Sequence, residues 1–334
     1  MTPRTLRRPL SMALAAALTL ALAGCARGAE PNAGGGAAVE PRTVRVGTLP
    51  TEDALPLWAA EAEGVFEEVG LPSVEIVTFQ SAQERDAALV AGEIDAFMGD
   101  MIAAAQLEAG GTPVAVEFVM LGATPEEGRF GILAAPGSEV DGLQDLAGVP
   151  VGTSSGTIQE YVLDGLMRQA GVPAERVVKE EVKKVPVRFE LLMNGKLAAA
   201  ALPEPLLSLG EMQGAKLIAD DTSGENLSQT VLVASEAFLR AEGGLEAMEL
   251  LVRAWDAGAE LVNGDPDAWR ETLVDKARLP EPLRDTYRVN AYPAAQPPTE
   301  EQVAAVLEWM RAEGTLKADL TPLDLSGVVT PGDR

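Results

Sequence analysis

From residue 43 onward, short runs of β-branched and apolar residues alternate with longer Ala/Leu-rich stretches. Thr43 to Thr48, Val74 to Phe79, Ile94 to Met98 and Val114 to Met120 read as strands separated by helices. A second series follows, with Arg129 to Ala134, Val149 to Thr153, Val177 to Val182, Leu197 to Ala201 and Lys216 to Ala219 as strands. Such alternation predicts α/β layers around mainly parallel sheets. The C-terminal third reads as helical. Leu245, Met248, Val252, Trp255, Ala259 and Val262 fall at spacings of three and four, forming one apolar stripe that ends at Gly264. Asp265-Pro266 has the form of a helix start with proline at its first position. Thr299-Glu300-Glu301-Gln302 has the form of a capping box ahead of Val303, Val306 and Met310. Trp255, Trp269 and Trp309 are assigned to packing.

The two strand series match each other. Val46-Gly47-Thr48 recurs as Val151-Gly152-Thr153, and Gly70-Leu71-Pro72 as Gly171-Val172-Pro173. Arg85, Leu89, Gly92, Ile94, Ala96 and Gly111 correspond to Arg188, Leu192, Gly195, Leu197, Ala199 and Gly214, all at an offset of 103. Shared order and near-constant offset predict two similar lobes with a cleft between them. Ligands of open α/β sheets sit beyond the carboxyl ends of the strands. The loops after Thr48 and Thr153, with the turns at Gly99-Asp100 and Pro203-Glu204-Pro205, are therefore expected to face one another.

The N-terminal segment changes the compartment. Arg4, Arg7 and Arg8 precede an Ala/Leu-rich run from Leu10 to Ala23, which ends at Leu22-Ala23-Gly24-Cys25. This reads as a signal peptide over residues 1–24, too short for a membrane span and closed by small residues. Leu-Ala-Gly-Cys resembles a lipoprotein processing site, and that resemblance implies lipidation of Cys25. Arg7-Arg8 leaves the twin-arginine route open beside general secretion. Residues 25–41, with Gly34-Gly35-Gly36 and no periodicity, read as a flexible lipidated tether.

Charge and composition narrow the function classes. The full chain of 334 residues has a formal charge of −25, and removal of the three signal arginines takes it to −28. So acidic a surface repels nucleic acid and favours a monomer. There is no histidine, and Cys25 is the one cysteine. Disulfide frameworks, Cys/His metal sites and Ser/His/Asp triads are thereby excluded, and no phosphate-cradling G-x-x-x-x-G-K-[ST] is present. No cofactor and no metal are expected, and any ATPase must be a separate chain.

Six strings, in order, carry a family resemblance. They are Leu55-Pro56-Leu57 with Gly64-Val65-Phe66, Gly70-Leu71, Arg85-Asp86-Ala87-Ala88-Leu89, Gly92-Glu93-Ile94-Asp95-Ala96 and Leu202-Pro203-Glu204-Pro205. In this order the chain resembles solute-binding proteins of ABC importers, grouped with the nitrate, sulfonate and taurine binders and the thiamine-pyrimidine precursor binders. The resemblance spans residues 42–312. It implies a type II periplasmic-binding fold: two similar α/β lobes, two crossover segments and a hinge that closes on ligand. Residues 42–125 with 231–334 would form lobe 1, and 126–230 lobe 2. It further implies an extracytoplasmic, lipid-anchored receptor that captures a small polar or zwitterionic solute and delivers it to an ABC permease. The alternatives are an exported lyase or transferase on the same fold, or a ligand-sensing subunit. Enzymes of a related branch have cysteine and histidine features that this chain lacks.

Candidate ligand contacts lie in the four loops. Ser154, Ser155, Gly156 and Thr157 precede a helix, where amide N–H groups and hydroxyls suit an anion, although the same residues would serve as an ordinary N-cap. Asp100 and Glu204 occupy nearly repeat-related places and would accept from a donor-bearing ligand, or else cap their own helices. Asp53 and Thr48 in the first loop, and Tyr161 one turn into the helix after the serine loop, complete the set. Arg129, Arg85 and Arg188 are expected to hold structure rather than solute.

Overall fold

The computed structural model describes residues 40–327. The signal segment, Cys25 and nearly all of the tether lie outside the described residues. In chain order the first strands and helices are β1 (Val44–Thr48), α1 (Leu55–Ala62), α2 (Val65–Val69), β2 (Val74–Thr78), α3 (Ala82–Val90), β3 (Ala96–Gly99), α4 (Met101–Ala109) and β4 (Val114–Leu121). The chain then passes to β5 (Phe130–Ala134), β6 (Pro150–Thr153), α5 (Ile158–Gln169), β7 (Val178–Glu181), α6 (Val185–Met193), β8 (Ala199–Pro203), α7 (Leu206–Met212) and β9 (Lys216–Asp220). It returns as β10 (Thr230–Ser235) and ends in α8 (Glu236–Leu239), α9 (Gly244–Gly264), α10 (Arg270–Lys276) and α11 (Glu300–Ala312).

Two five-stranded sheets result, ordered β2-β1-β3-β10-β4 and β7-β6-β8-β5-β9. Within each, the first three strands are parallel, and the fourth, arriving by a crossover, is antiparallel to both neighbours. This is the bilobal periplasmic-binding fold. The sheets are mixed rather than mainly parallel, because β5 and β10 each insert between strands of a βα series. Thr230–Ser235 escapes a sequence reading: its apolar run is fully buried, so it lacks the alternation that marks a half-buried strand.

The repeat has a physical basis in three places. Its paired glycines Gly70/Gly171, Gly92/Gly195 and Gly111/Gly214 all have positive φ, between 65° and 94°, where a side chain would strain the turn. In β1 and β6 the glycine before the final threonine has a different cause. A Cβ on Gly47 would lie 2.6 Å from Ile94 Cδ1 and 3.3 Å from Arg85 Cγ; on Gly152 it would lie 2.6 Å from Leu197 Cδ1 and 3.3 Å from Arg188 Cγ. Both strands also end alike, with Thr48 and Thr153 carbonyls accepting from Phe79 and Val182 amides at 2.8 Å.

The C-terminal helices close the first sheet. Along α9 the predicted stripe is buried from Met248 to Val262, and Leu245 alone of it is exposed. Gly258 lets α9 cross α1 closely, since a Cβ there would meet the Pro56 carbonyl oxygen at 2.1 Å. Trp255 is fully buried against Phe118 of β4, its Nε1 donating to the Pro293 carbonyl at 3.1 Å. Trp269 and Trp309 are buried as well. Thr299 and Gln302 form the expected capping box at the start of α11, whereas Asp265 makes no side-chain cap and Pro266–Trp269 is a 3-10 turn.

Candidate functional site

The carboxyl ends of β1, β3, β6 and β8 converge on a cavity of about 80 Å³ between the lobes. Its polar lining includes Asp53, Asp100, Ser154, Thr157 and Glu204, so each of the four loops expected to face the cleft contributes. Leu49, Pro50, Met98, Phe130, Pro203 and Leu206 supply apolar wall. The lobes touch across it: Gln83 Nε2 donates to Ser154 Oγ at 3.4 Å, Gln106 Nε2 to the Gly156 carbonyl at 3.3 Å, and Lys184 lies 3.6 Å from Glu84.

Both carboxylates at the turns cap helices. Asp100 Oδ1 accepts from the Ala103 amide of α4 at 2.8 Å. Burial pushes its carboxyl above the usual aspartate range, opposed by the charge of Arg85 and by the amides of Ala103 and, from the facing lobe, Ile158. Glu204 Oε1 accepts from Arg129 Nη1 and Ser208 Oγ, each at 2.9 Å, and its Oε2 accepts from the Ser208 amide at 3.1 Å. Arg129 also pairs with Glu211 at 2.9 Å and Asp220 at 2.7 Å. Burial works against its charge, yet these bonds raise its pKa, and it stands outside the cavity lining.

Asp53 differs from both. Only 5 % exposed, it makes no cap, and its Oδ1 is buried without a hydrogen-bond partner among the described residues. Gln83 Oε1 and Thr230 Oγ1, which the sequence reading missed, are likewise buried and unpartnered, and both residues line the same cavity. No spacing links residues 53, 83 and 230. Their meeting depends on the crossover strand β10, which itself carried no clear signal.

Two amides of the serine loop are already taken. Ser155 donates through N and Oγ to Glu181 Oε2 at 2.9 and 2.7 Å, and the Gly156 amide donates to Glu160 Oε2 at 2.6 Å. Thr157 Oγ1 lies 2.6 Å from the Ser154 carbonyl and 2.8 Å from Gln159 Oε1. Carboxylates of the protein itself thus occupy the donors of Ser155 and Gly156. Ser155 and Gly156 lie outside the lining. Thr48 does too, fully buried beneath its loop with its Oγ1 3.3 Å from Thr78 Oγ1. Tyr161 faces the far side, edge-on to Trp309 at 5.2 Å, because one turn of α5 carries it away from the cleft.

A second unforeseen group holds the Asp53 loop from behind. The neighbouring Glu52, 3 % exposed, accepts from Tyr287 Oη and Asn290 Nδ2, both at 2.7 Å, while Tyr292 Oη donates to its carbonyl at 2.8 Å. Burial, and next the charge of Glu204, push the Glu52 carboxyl well above the usual range. These contacts span more than 230 residues, so no local pattern announces them.

Behind α5, Glu160, Asp164 and Glu313 offer carboxylates close enough to share a cation. The Lys179 ammonium sits among them at 2.9, 2.7 and 3.1 Å. Burial opposes its charge, but the bonds to Asp164 and Glu160 outweigh that and raise its pKa. A protein cation thus fills the place that a metal would take.

Comparison with known proteins bears on this geometry. A family model described as NMT1-like matches residues 37–272. The alkanesulfonate-binding protein SsuA of Xanthomonas axonopodis pv. citri, solved with MOPS, is similar in structure, with a TM-score of 0.73 at 20 % identity over 87 % of this chain and 99 % of its own. The aliphatic sulphonate binding protein SsuA of Escherichia coli gives 0.72 at 19 %, over 87 % and 93 %. The nitrate-binding protein NrtA of Synechocystis PCC 6803 gives 0.67 at 14 %, over 85 % and 84 %. A search of curated protein sequences finds no match. At these identities the structural likenesses speak for the fold alone.

Proposed function

We propose, from the premise that this chain belongs to the NMT1-like family, that it is the solute-binding subunit of an ABC-type importer. One observation carries the reading: a small cavity, walled by strand-end loops of both lobes, is lined by residues with buried polar atoms that have no partner among the described residues. A solute bound there touches both lobes and favours the closed state by its differential affinity. Periplasmic binding proteins of sulfonates and nitrate on the same fold support the transport role.

The remaining parts of the reading rest on sequence. Residues 1–24 direct export, Cys25 receives lipid, and residues 25–41 tether the receptor to an extracytoplasmic membrane face, where it meets a permease and ATPase on separate chains. Lobe 1 comprises 42–125 with 231–334, and lobe 2 comprises 126–230. Packing of α11 against α4 supports returning the C-terminus to lobe 1. The role is non-catalytic, in keeping with the absence of histidine and of any cysteine beyond Cys25.

The test is recovery of ligand. Protein purified from its native host, denatured and extracted, should release a small solute unchanged, and adding that solute back should compact the protein in small-angle scattering. Chemical conversion of the solute, or an unchanged scattering profile at saturation, would overturn the receptor reading.

A further inference from the structure

We infer that the solute is a compact organic cation, an amine or amidine on a short apolar body, whose N–H donors face Asp53, Gln83 and Thr230. The inference rests on the receptor reading above and narrows it from polar or zwitterionic to cationic.

Three observations lead there. The first is unspent acceptors. Asp53 Oδ1, Gln83 Oε1 and Thr230 Oγ1 are all buried, all unpartnered and all on residues lining one cavity. Burying a carboxylate oxygen without a donor is costly, and a ligand N–H offsets that cost with a charge-assisted bond.

The second is charge. The buried acids of the lining are Asp53, Asp100 and Glu204; its buried cation is Arg85, and Lys183 is exposed. Arg85 is already spent, donating to Asp86 at 2.9 and 2.7 Å and to the Met98 carbonyl at 2.8 Å. Two donors on the facing loop, the amides of Ser155 and Gly156, are engaged by Glu181 and Glu160. An anion placed here would meet these three carboxylates, with the buried guanidinium already paired.

The third is size. About 80 Å³ corresponds to roughly five water positions. Leu49, Phe130 and Leu206 then suit a short hydrocarbon body rather than a second charged end.

The experiment uses a matched series on the purified mature protein: butylamine, butanamidine, 4-aminobutanesulfonate, butanesulfonate and nitrate, each titrated by calorimetry or ligand-observed NMR. Butylamine and the amidine should bind at least about 10-fold tighter than butanesulfonate, with the zwitterion between them. Asp53→Asn keeps the shape, removes the charge and should weaken the amine by about 10- to 100-fold. Thr230→Val, which removes a neutral partner, should weaken it about 3- to 10-fold and serves if the first variant fails to fold. Tighter binding of butanesulfonate or nitrate overturns the cationic solute and leaves the receptor reading standing. So does amine binding indifferent to both substitutions. Failure of every probe, together with no extractable solute, overturns both.

Discussion

Arg85 and Arg188, fully buried in matching helices, each donate from Nη1 at 2.8 Å to a carbonyl oxygen thirteen residues farther on, Met98 in one lobe and Ala201 in the other. The equivalence stops at their charges. Arg85 pairs with Asp86 at 2.7 Å and stacks 4.3 Å from the Phe97 ring. Among the described residues Arg188 makes no salt bridge and its Nη2 lacks a partner, and burial pulls it down to about 10, opposed by the charge of Glu181.

Unequal stability losses follow. Arg85→Met removes an ion pair, a ring contact and a carbonyl's partner, and should cost about 2–4 kcal/mol. Arg188→Met also strands carbonyls but relieves a buried charge, and should fall within about 1 kcal/mol of the parent. Urea denaturation midpoints measure both. Equal losses would mean that Arg188 is compensated by something other than the contacts seen.

Gly47→Ala and Gly152→Ala should destabilise to a similar degree, by about 1–3 kcal/mol each. In both cases the added methyl meets the tip of one aliphatic side chain at 2.6 Å and an arginine stem at 3.3 Å. Thermal unfolding of the two variants tests whether the repeat is energetic as well as geometric. A neutral result at either site would show that Ile94 or Leu197 simply swings aside.

Asp221 governs a pH effect. It accepts from the Phe130 amide at 2.9 Å, and burial raises it from 3.8 to about 6. The folded protein therefore keeps this proton where the unfolded chain has released it. Stability from this group is fully present below 3.8 and is lost as pH rises to about 6, to the extent of about 3 kcal/mol at most. The stability difference between the parent and Asp221→Asn, measured from pH 3.5 to 7.5, should fall over that window and then level. A flat difference would place the aspartate's titration elsewhere.

Glu204→Gln separates a cap from a ligand contact. Arg129 keeps Glu211 and Asp220, so the substitution should cost about 1–2 kcal/mol of stability. It should also let Glu52 ionise more readily, since the charge of Glu204 opposes it. Affinity for butylamine should drop by less than with Asp53→Asn. A larger drop would move the ligand's cationic head toward Glu204.

Cys25→Ser should abolish acylation and leave soluble or unprocessed precursor. Membrane fractionation with mass spectrometry of the amino terminus decides it. Equally membrane-bound, acylated mutant protein would rule out the lipid anchor.

Strand placement, the repeat and the four cleft loops were legible because strand ends and helix-stop glycines leave local marks. The chemistry of the loops was less so. At Ser154 to Thr157 the sequence offers donors but hides that Glu181 and Glu160 consume those of Ser155 and Gly156, because Glu181 sits on a neighbouring strand. Asp53 has the sequence look of a helix cap, and only the fold leaves its oxygen bare. Glu52 gave no sign at all, its partners Tyr287, Asn290 and Tyr292 arriving from the far end of the chain.

The crossover strands also set an order of assembly. Among the described strands β4 pairs only with β10, and β9 only with β5. Residues 130–220 contain every strand of the second sheet, whereas the first stays open until residues 230–235 arrive. In a chain that emerges from its amino end, the sheet encoded second is thus complete first. Until then Val114–Leu121, every residue of which is buried in the finished fold, is an apolar strand without its neighbour. That interval, rather than any weakness of the finished fold, is when this protein most needs shielding from its own copies.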